Sequence, residues 1–239
     1  MCDCESVKKE LEKYVRSDKI AVLSGFFKTG KAGYGEGDLF MGVVVPDQRR
    51  VAKAFYRGIS IADTAELLKS PVHEHRLTAL IMMVEKFSKT RDESVKKSVY
   101  EAYIKNIEYV NNWDLVDVSA PHISGPYLYD KPRRLIFTFA RSGNLWKQRV
   151  AMLTTFYFIR KLDFEDAFKI ADILIDHPHD LIHKAVGWML REIGNRDRQA
   201  ELDYLATRYG KMPRTMLRYA IEKFEEPLRK SFLAGTYKN

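Results

Sequence analysis

The stretch LIHKAVGWMLREI, residues 181–193, shows a pattern that recurs along the whole chain. Its apolar residues Ile182, Val186, Met189 and Ile193 follow one another every three or four positions, which is the spacing of one face of an α-helix. Most segments between the glycine and proline residues repeat this spacing, whereas alternation of period two is short wherever it occurs. The sequence therefore predicts an all-α fold.

Capping residues and helix breakers bound the predicted helices. They lie near 5–16, 18–28, 46–57, 61–69, 71–88, 92–111, 131–141, 144–160, 163–176, 180–194, 197–209, 212–224 and 226–234, with a short one near 112–118. A segment of different composition, at about 25–38, is predicted to be a glycine-rich loop because glycine at that density destabilises a helix. We expect a single domain over residues 1–239 that contains this loop.

Similar helical segments recur along the chain. They are centred on Arg76, Trp113, Arg149, Lys184 and Arg218, at intervals of roughly 34–37 residues. A helical pair of that length cannot bury its apolar face alone, so the pairs are expected to stack into a curved solenoid, an α–α superhelix. The basic residues of the repeats are then predicted to line one concave surface, which would fit duplex DNA, a rod-like polyanion.

Composition restricts the classes of function. The chain has 40 Lys and Arg against 32 Asp and Glu, and this formal net charge of +8 favours a polyanionic partner. Its apolar runs are far shorter than the roughly 18–20 residues of a membrane span, and its acidic start lacks a signal-peptide pattern. We therefore expect a cytoplasmic protein. Cys2 and Cys4 lie too close together and too near the terminus for a disulfide to stabilise the fold. The fold must therefore depend on the burial of apolar side chains.

The glycine-rich loop contains a motif that imitates a nucleotide site. Residues 25–31 read GFFKTGK, which is the spacing of a phosphate-binding P-loop. Ala32 stands where a Ser or Thr would hold magnesium, and a helical pattern precedes the motif instead of a strand. The sequence thus argues against nucleotide hydrolysis. The loop is either a connector or a basic, aromatic segment that lies against a phosphate backbone through Lys28, Lys31 and Tyr34.

Trp188 departs from the pattern of its helix. At about 100° per residue it lies roughly 130° from the apolar stripe, beside Lys184. Two interpretations stay open. The indole packs against the neighbouring repeat, or it presents an aromatic surface to a ligand, with the small Gly187 and the basic Arg191 nearby.

Trp113 and Asp117 are a second unusual pair, at positions i and i+4 of a short predicted helix and therefore on one helical face. Asp117 either makes a hydrogen bond at the end of the helix or between helices, or it is a partly desolvated carboxylate that stabilises positive charge. In the second case the Trp113 indole adds a cation–π contribution of about 0.5–2 kcal/mol.

Arg149 lies in the segment 145–159, which is apolar on nearly all sides, where an unpaired cation is strongly disfavoured. It is expected to pair with a carboxylate, for which Asp114 and Asp117 are the candidates, or with a phosphate.

The histidines at residues 176–183 are a possible metal site by atom type, since His177, His179 and His183 fall within seven residues. The run DHPHD reads more simply as a connection between helices with Asp180 as the N-cap. No metal site is predicted.

Three segments carry motifs in a fixed order: WDLVD at 113–117, LWKQR at 145–149 and KAVGWMLRE at 184–192. Together with GVVVPDQRR at 42–50, they resemble the bacterial AlkD-like DNA alkylation repair glycosylases, and the likeness covers most of the chain. The resemblance implies a HEAT-like helical-repeat solenoid. Within the segment 42–50, Val44 and Val45 stand where the resemblance leads us to expect a polar residue near the lesion or its partner base.

The resemblance also implies roles for individual residues. Asp117 matches the catalytic carboxylate, Trp113 and Trp188 match the aromatic pair that flanks the sugar of the lesion, and Arg149, joined by Arg191, matches a cation on the DNA backbone. The implied activity is excision of N3- or N7-alkylated purines from duplex DNA by hydrolysis of the N-glycosidic bond, as in base excision repair. It needs no cofactor and no deep pocket for an extruded base, and it implies a monomer acting at the bacterial nucleoid.

The residue types agree with that chemistry. An alkylated purine is already cationic, so it leaves without a general acid, and a carboxylate stabilises the positive charge that develops on the deoxyribose. The alternative is a non-catalytic helical-repeat scaffold that binds nucleic acid or a protein. Convergence of Trp113, Asp117, Arg149 and Trp188 on one spot would favour the enzyme.

Overall fold

The computed structural model describes residues 3–237. The predicted fold class, an all-α fold of helical repeats, is confirmed. In the described part of the chain, β-type pairing is limited to an isolated parallel bridge between Leu39 and Val72. Between residues 3 and 237 no helix is both long enough and apolar enough to cross a membrane.

The chain divides into two compact units, one ending at Tyr127 and the other beginning at Leu128. The first contains α1 (Cys4–Glu12), α2 (Ser17–Phe26), α3 (Val45–Phe55), α4 (Ile61–Leu68), α5 (His73–Lys89), α6 (Glu93–Lys105), a 3₁₀ turn (Ile107–Tyr109) and α7 (Trp113–Ser119), and α8 (Ser124–Leu128) ends at the boundary. The second contains α9 (Arg134–Ala140), α10 (Leu145–Ile159), α11 (Glu165–Leu174), α12 (Asp180–Gly194), α13 (Arg198–Ala206), α14 (Arg214–Ala220), a 3₁₀ turn (Ile221–Lys223) and α15 (Glu226–Ala234). That both units form one domain stays a prediction.

Helix α5 is the centre of the first unit, where it packs against α3, α4, α6 and α7. Its buried apolar residues include Leu77, Leu80 and Met83, which supply the hydrophobic contacts expected of a core helix. Its first turn also buries His73 and Glu74. Buried ionisable groups are costly unless they are paired, so the start of α5 requires polar partners from other segments.

Helices α10 and α12 form the centre of the second unit. Gly187 allows α12 to approach α14 closely, because a Cβ atom at this position would lie 2.4 Å from the carbonyl oxygen of Met216. Gly187, which the sequence analysis names only as a small neighbour of Trp188, is therefore required for the packing of two helices. Helix α14 occupies the space that a side chain at position 187 would need.

The largest differences from the predicted helices are at residues 92–111 and 124–128. The helix expected over 92–111 ends at Lys105, because the Asn106 side chain donates to the carbonyl of Ala102 (2.8 Å) and the backbone leaves the helical conformation there. Helix α8 was not predicted, since its Gly-Pro pair at 125–126 reads as a turn. Proline is nevertheless tolerated in the first turn of a helix.

Candidate functional site

Helix α7 presents the first pair of predicted site residues. The Asn112 side chain caps the helix by accepting a hydrogen bond from the backbone N–H of Trp113 at 2.9 Å. Trp113 and Asp117 then follow on the same helix, four residues apart and both half-buried. The prediction that they share one helical face is confirmed.

Aromatic rings from the start of the glycine-rich loop hold the Trp113 indole. Phe27 stacks on it with ring centroids 5.4 Å apart and planes 16° apart, and Phe26 meets it edge-on at 5.8 Å. Phe40, two residues beyond the loop, stacks in turn on Phe27, with ring centroids 5.1 Å apart. The loop therefore positions Trp113, a role that the sequence analysis did not assign to it.

A buried charge network lies behind these rings. His73 is held between two carboxylates, with its Nδ1 3.0 Å from Asp38 and its Nε2 2.8 Å from Asp114. Arg76 donates to the second Asp38 oxygen at 2.5 Å, and Asn112 donates to the oxygen that faces His73 at 3.0 Å. The network thus ties the loop, α5 and the first turn of α7 together.

The pKa values of this network favour its ionised form. Burial alone would lower the pKa of His73, but the hydrogen bonds to Asp114 and Asp38, and their negative charges, raise it to about 9. Burial opposes ionisation of Asp38, yet His73, Arg76 and Asn112 together lower the pKa of its carboxyl group. At neutral pH His73 is therefore an imidazolium ion that donates both of its N–H groups.

The prediction that Arg76 contacts DNA is not supported by its position. Its side chain is 5% exposed and forms an ion pair with Asp38 inside the first unit. A guanidinium that already has a buried carboxylate partner would lose that partner in order to reach a phosphate. We therefore assign Arg76 a structural role in the network.

Arg149 is buried in the second unit, with 5% of its surface exposed. Its Nη1 donates to the carbonyl oxygen of Leu181 at 2.6 Å, in the first turn of α12. Asp114 is one of the two carboxylates that the sequence offered as a partner for Arg149. Its oxygens accept hydrogen bonds from His73 and from the backbone N–H of Leu115. Arg149 thus contributes to holding α12 against α10.

Replacing Arg149 by alanine is expected to lower the free energy of unfolding by about 1–3 kcal/mol, because the carbonyl of Leu181 loses a charged donor. Urea unfolding measures the loss. Lys147→Ala is the matched control, since Lys147 lies on the same helix but is only half-buried. This variant should lower the free energy of unfolding by less than about 1 kcal/mol. Equal midpoints for wild type and Arg149→Ala would show that Arg149 does not support the fold.

Trp188 is half-buried on α12. Its indole N–H donates to Glu192 at 3.1 Å, and its ring lies 5.7 Å from that of Phe156 on α10. Glu192 is in turn paired with Arg196 at 2.7 Å. The interpretation in which the indole packs against the neighbouring repeat is confirmed, and the second interpretation, contact with a ligand, stays a prediction.

The remaining basic candidates differ in exposure. Lys184 forms an ion pair with Asp180 at 2.6 Å in which both side chains are substantially exposed. Arg191 is largely covered and paired with Glu222. Arg218 is exposed. Because Arg76 and Arg149 are buried, the repeated basic position does not form a uniformly exposed stripe, and that part of the sequence prediction is wrong.

The histidines at 177–183 make local contacts that support the start of α12. The ring of His179 accepts from the backbone N–H of Leu181 at 3.1 Å, so His179 is the N-cap in place of the predicted Asp180. His177 bonds the Gln148 side chain at 3.0 Å, and His183 bonds the carbonyl of His177. In residues 3–237 no group of His, Cys, Asp and Glu side chains has the arrangement of a metal site.

Comparisons with known proteins agree on the kind of protein this chain resembles. The family described as DNA alkylation repair enzyme matches residues 7–224. A solved structure of a predicted DNA alkylation repair enzyme from Enterococcus faecalis is similar, with a TM-score of 0.70 and 16% sequence identity over 89% of this chain and 97% of that chain. A search of curated proteins finds no match.

Proposed function

The chain belongs to the family of DNA alkylation repair enzymes, and from this premise we propose that it is a DNA glycosylase. In this proposal it removes cationic N3- or N7-alkylated purines from duplex DNA by hydrolysing the N-glycosidic bond. The observation that carries the proposal is the pairing of Trp113 with Asp117 on one face of α7, with the indole fixed by Phe26 and Phe27. Such a pair is suited to stabilising a cation at a defined place.

Asp117 has the central role in the proposed mechanism. As the glycosidic bond lengthens, positive charge develops on the deoxyribose, and a nearby carboxylate stabilises it. The same carboxylate orients a water molecule toward the anomeric carbon and accepts the proton that the water loses as the new C–O bond forms. The electrons of the broken bond neutralise the positive charge of the alkylated purine, so the base leaves without protonation. Selectivity for cationic bases follows, because a neutral base would need an acid.

Asp114 is the other carboxylate of α7, and its contacts argue for a supporting role. One of its oxygens accepts from the His73 imidazolium and the other from the backbone N–H of Leu115. A carboxylate engaged in this way fixes the helix that carries Trp113 and Asp117. We therefore assign the chemistry to Asp117, and to Asp114 the positioning of α7.

Trp113 and Trp188 supply the aromatic faces of the proposed site. They belong to different units, and their meeting at one lesion together with Asp117 and Arg149 stays a prediction. Each indole would stabilise the developing cation through its quadrupole, by about 0.5–2 kcal/mol.

Binding of duplex DNA is proposed to rest on the net charge of +8 and on the exposed or half-exposed cations Lys184 and Arg218. Arg191 and Arg149 are proposed to engage the DNA backbone once DNA is bound, in addition to their contacts inside the second unit. We propose that the protein acts as a monomer, without a cofactor, at the nucleoid.

Affinity for duplex DNA is expected to fall steeply with salt, because each phosphate contact releases counterions. The logarithm of the binding constant should fall by about 0.9 for each phosphate contact per tenfold rise in salt. Fluorescence anisotropy of a labelled duplex between low and physiological ionic strength measures the slope. A flat dependence would contradict electrostatic DNA binding.

The decisive experiment is release of methylated bases from alkylated duplex DNA by the purified protein, with products separated by chromatography. Release of N3- or N7-methylpurines by wild type, and its loss in Asp117→Asn, would support the proposal. If the protein binds duplex DNA but releases no base, the non-catalytic scaffold becomes the better interpretation.

A further inference from the structure

Helix α2 is rich in apolar residues but lies on the surface. It contains Ile20, Val22, Leu23 and Phe26, yet none of its side chains is buried against the described part of the chain. Val22 and Phe26 stand one turn apart on the same side of the helix and are 62% and 61% exposed. Among the described residues, most of the large apolar side chains that are exposed lie in the segment 15–45. Such a concentration of exposed apolar surface marks a region that contacts a partner.

Phe26 has a defined position at the end of α2, although most of its surface is exposed. Its ring meets Phe27 edge-on with centroids 5.1 Å apart, and it meets Trp113 in the same way at 5.8 Å. Its carbonyl oxygen accepts a hydrogen bond from the hydroxyl group of Tyr34 at 3.1 Å. Because the ring is already held in place, it loses little conformational freedom when it binds a partner.

The loop that follows α2 folds back tightly on the end of the helix. Lys28 has a φ of +52°, in the left-handed region. A Cβ atom at Gly33 would overlap the carbonyl oxygen of Lys28. A Cβ atom at Gly35 would likewise overlap the carbonyl oxygen of Phe27, so the loop requires glycine at both positions. Lys28 and Lys31 are exposed on this loop, which therefore combines a fixed backbone with positive charge.

The contact with Trp113 indicates which partner the exposed ring of Phe26 meets. The proposed function places Trp113 at the sugar of the damaged nucleotide, and nucleotides follow one another at about 3.4 Å along each DNA strand. A ring whose centroid lies 5.8 Å from the indole is therefore within one or two nucleotides of the lesion. A second copy of this chain is a less suitable partner, because it would bring together two molecules that each carry a net charge of +8.

We propose that Phe26 is a wedge that enters the base stack beside the damaged nucleotide. DNA-binding proteins insert apolar side chains, phenylalanine among them, between neighbouring base pairs. Insertion costs least where stacking is already weakened, as it is at a damaged or missing base. The wedge therefore makes the protein prefer a damaged duplex to an intact one. This inference rests on the proposed function, because it takes Trp113 to lie at the lesion.

The test compares two duplexes that differ at one nucleotide. One contains tetrahydrofuran, an abasic-site analogue without a glycosidic bond, and the other is intact. Fluorescence anisotropy at a fixed salt concentration should show tighter binding of wild type to the abasic duplex. Phe26→Ala should lower that affinity at least about tenfold, because a phenylalanine side chain is no longer buried in the complex, and should leave the affinity for the intact duplex nearly unchanged. Equal affinities of wild type for the two duplexes would overturn the inference.

Two further variants separate a wedge from other roles of the ring. Phe26→Leu keeps an apolar wedge but removes the aromatic contact with Trp113, so it should keep the preference for the abasic duplex. If Phe26→Leu loses that preference as Phe26→Ala does, the ring acts by supporting Trp113 and the wedge assignment is wrong. Leu162→Ala is the matched control, because it removes an apolar side chain that is 67% exposed in the second unit, and it should bind both duplexes like wild type.

Insertion itself is measured with 2-aminopurine placed next to the tetrahydrofuran. The fluorescence of 2-aminopurine rises when its stacking is lost, so it should rise on binding of wild type and of Phe26→Leu but not of Phe26→Ala. An unchanged signal with wild type would contradict insertion. Analytical ultracentrifugation tests the other partner: a wild-type dimer that Phe26→Ala converts to a monomer would assign the ring to an interface between two copies and overturn the wedge.

The outcomes separate this inference from the proposed function, because binding to the abasic duplex does not require catalysis. If wild type releases methylated bases from alkylated DNA but binds the two duplexes equally, the wedge assignment is wrong and the glycosylase assignment stands. If the preference for the abasic duplex depends on Phe26, yet no base is released from alkylated DNA, the wedge assignment stands and the glycosylase assignment fails.

Discussion

Replacing Asp117 by asparagine is expected to lower the single-turnover rate of base excision by about 10²–10³-fold. The change keeps the shape and hydrogen-bonding capacity of the side chain but removes the negative charge proposed to face the developing oxocarbenium ion. Affinity for duplex DNA should be unchanged or slightly higher, because an anion is removed from a surface that meets phosphates. The signature is a folded protein that binds DNA and no longer releases the base.

Asp114→Asn is the matched control, since it removes a carboxylate from the same helix three residues earlier. Asp114 pairs with His73, so this variant should lose thermal stability while its excision rate falls less than about tenfold. The excision rate of Trp188→Ala should lie between those of Asp117→Asn and Asp114→Asn, because one aromatic face stabilises the developing cation less than a full negative charge does. A wild-type excision rate for Asp117→Asn would refute its catalytic assignment.

The sequence predicted the helices and their type because amphipathic spacing and capping residues are local signals. Ser60 caps α4 by accepting from the backbone N–H of Asp63 at 2.9 Å, as its capping-box spacing indicates. The pairing of Trp113 with Asp117 was predictable for the same reason, since it depends only on an i, i+4 relation within one helix.

The charge network was not predictable, because its partners are far apart in the sequence. Asp38 lies in the glycine-rich loop and pairs with Arg76, 38 positions later, and with Asn112, 74 positions later. Arg76 therefore looked like a repeat cation that faces solvent. Two signals were present in the sequence: a single Asp at the end of a loop, and a His, Glu and Arg in the first turns of a buried helix.

The loop itself shows why composition can mislead. Its glycine content and its imitation of a P-loop drew attention to Lys28 and Lys31, whereas the structure uses Phe27 and Phe40, which stack near His73 and Trp113. Helix α2 runs to Phe26, the second residue of the P-loop-like motif, so a helix stands where a P-loop requires a strand. The argument against nucleotide hydrolysis gains support from this geometry.

Replacing His73 by alanine is expected to lower the free energy of unfolding by about 3–5 kcal/mol at neutral pH. The imidazolium neutralises two carboxylates, Asp38 and Asp114, at 3.0 and 2.8 Å, and its removal leaves them facing a cavity without their common donor. Urea unfolding followed by circular dichroism measures the loss.

His75→Ala is the matched control, because it deletes the same ring from the same buried helix, two residues further on. Burial lowers the pKa of His75 to about 4, so this histidine is neutral at pH 7 and bonds only a hydroxyl group, that of Ser70, among the contacts described. Its removal should cost about 1–3 kcal/mol, as for a neutral hydrogen-bonded group. Equal losses for His73→Ala and His75→Ala would show that the charge of His73 does not stabilise the fold.

The pH dependence provides a second measurement of the same network. The pKa of His73 in the folded protein, about 9, lies above its ordinary value of 6.5, so the folded state holds the proton more tightly than the unfolded state does. The stabilisation from protonated His73 is therefore complete below about pH 6.5 and is lost as the pH rises through about 9. The stability difference between wild type and His73→Ala should shrink over that interval. The difference for His75→Ala should stay constant above about pH 7.5, where His75 is neutral in both the folded and the unfolded state. If the stability difference between wild type and His73→Ala does not change between pH 6 and about 10, His73 is not an imidazolium at the centre of the network.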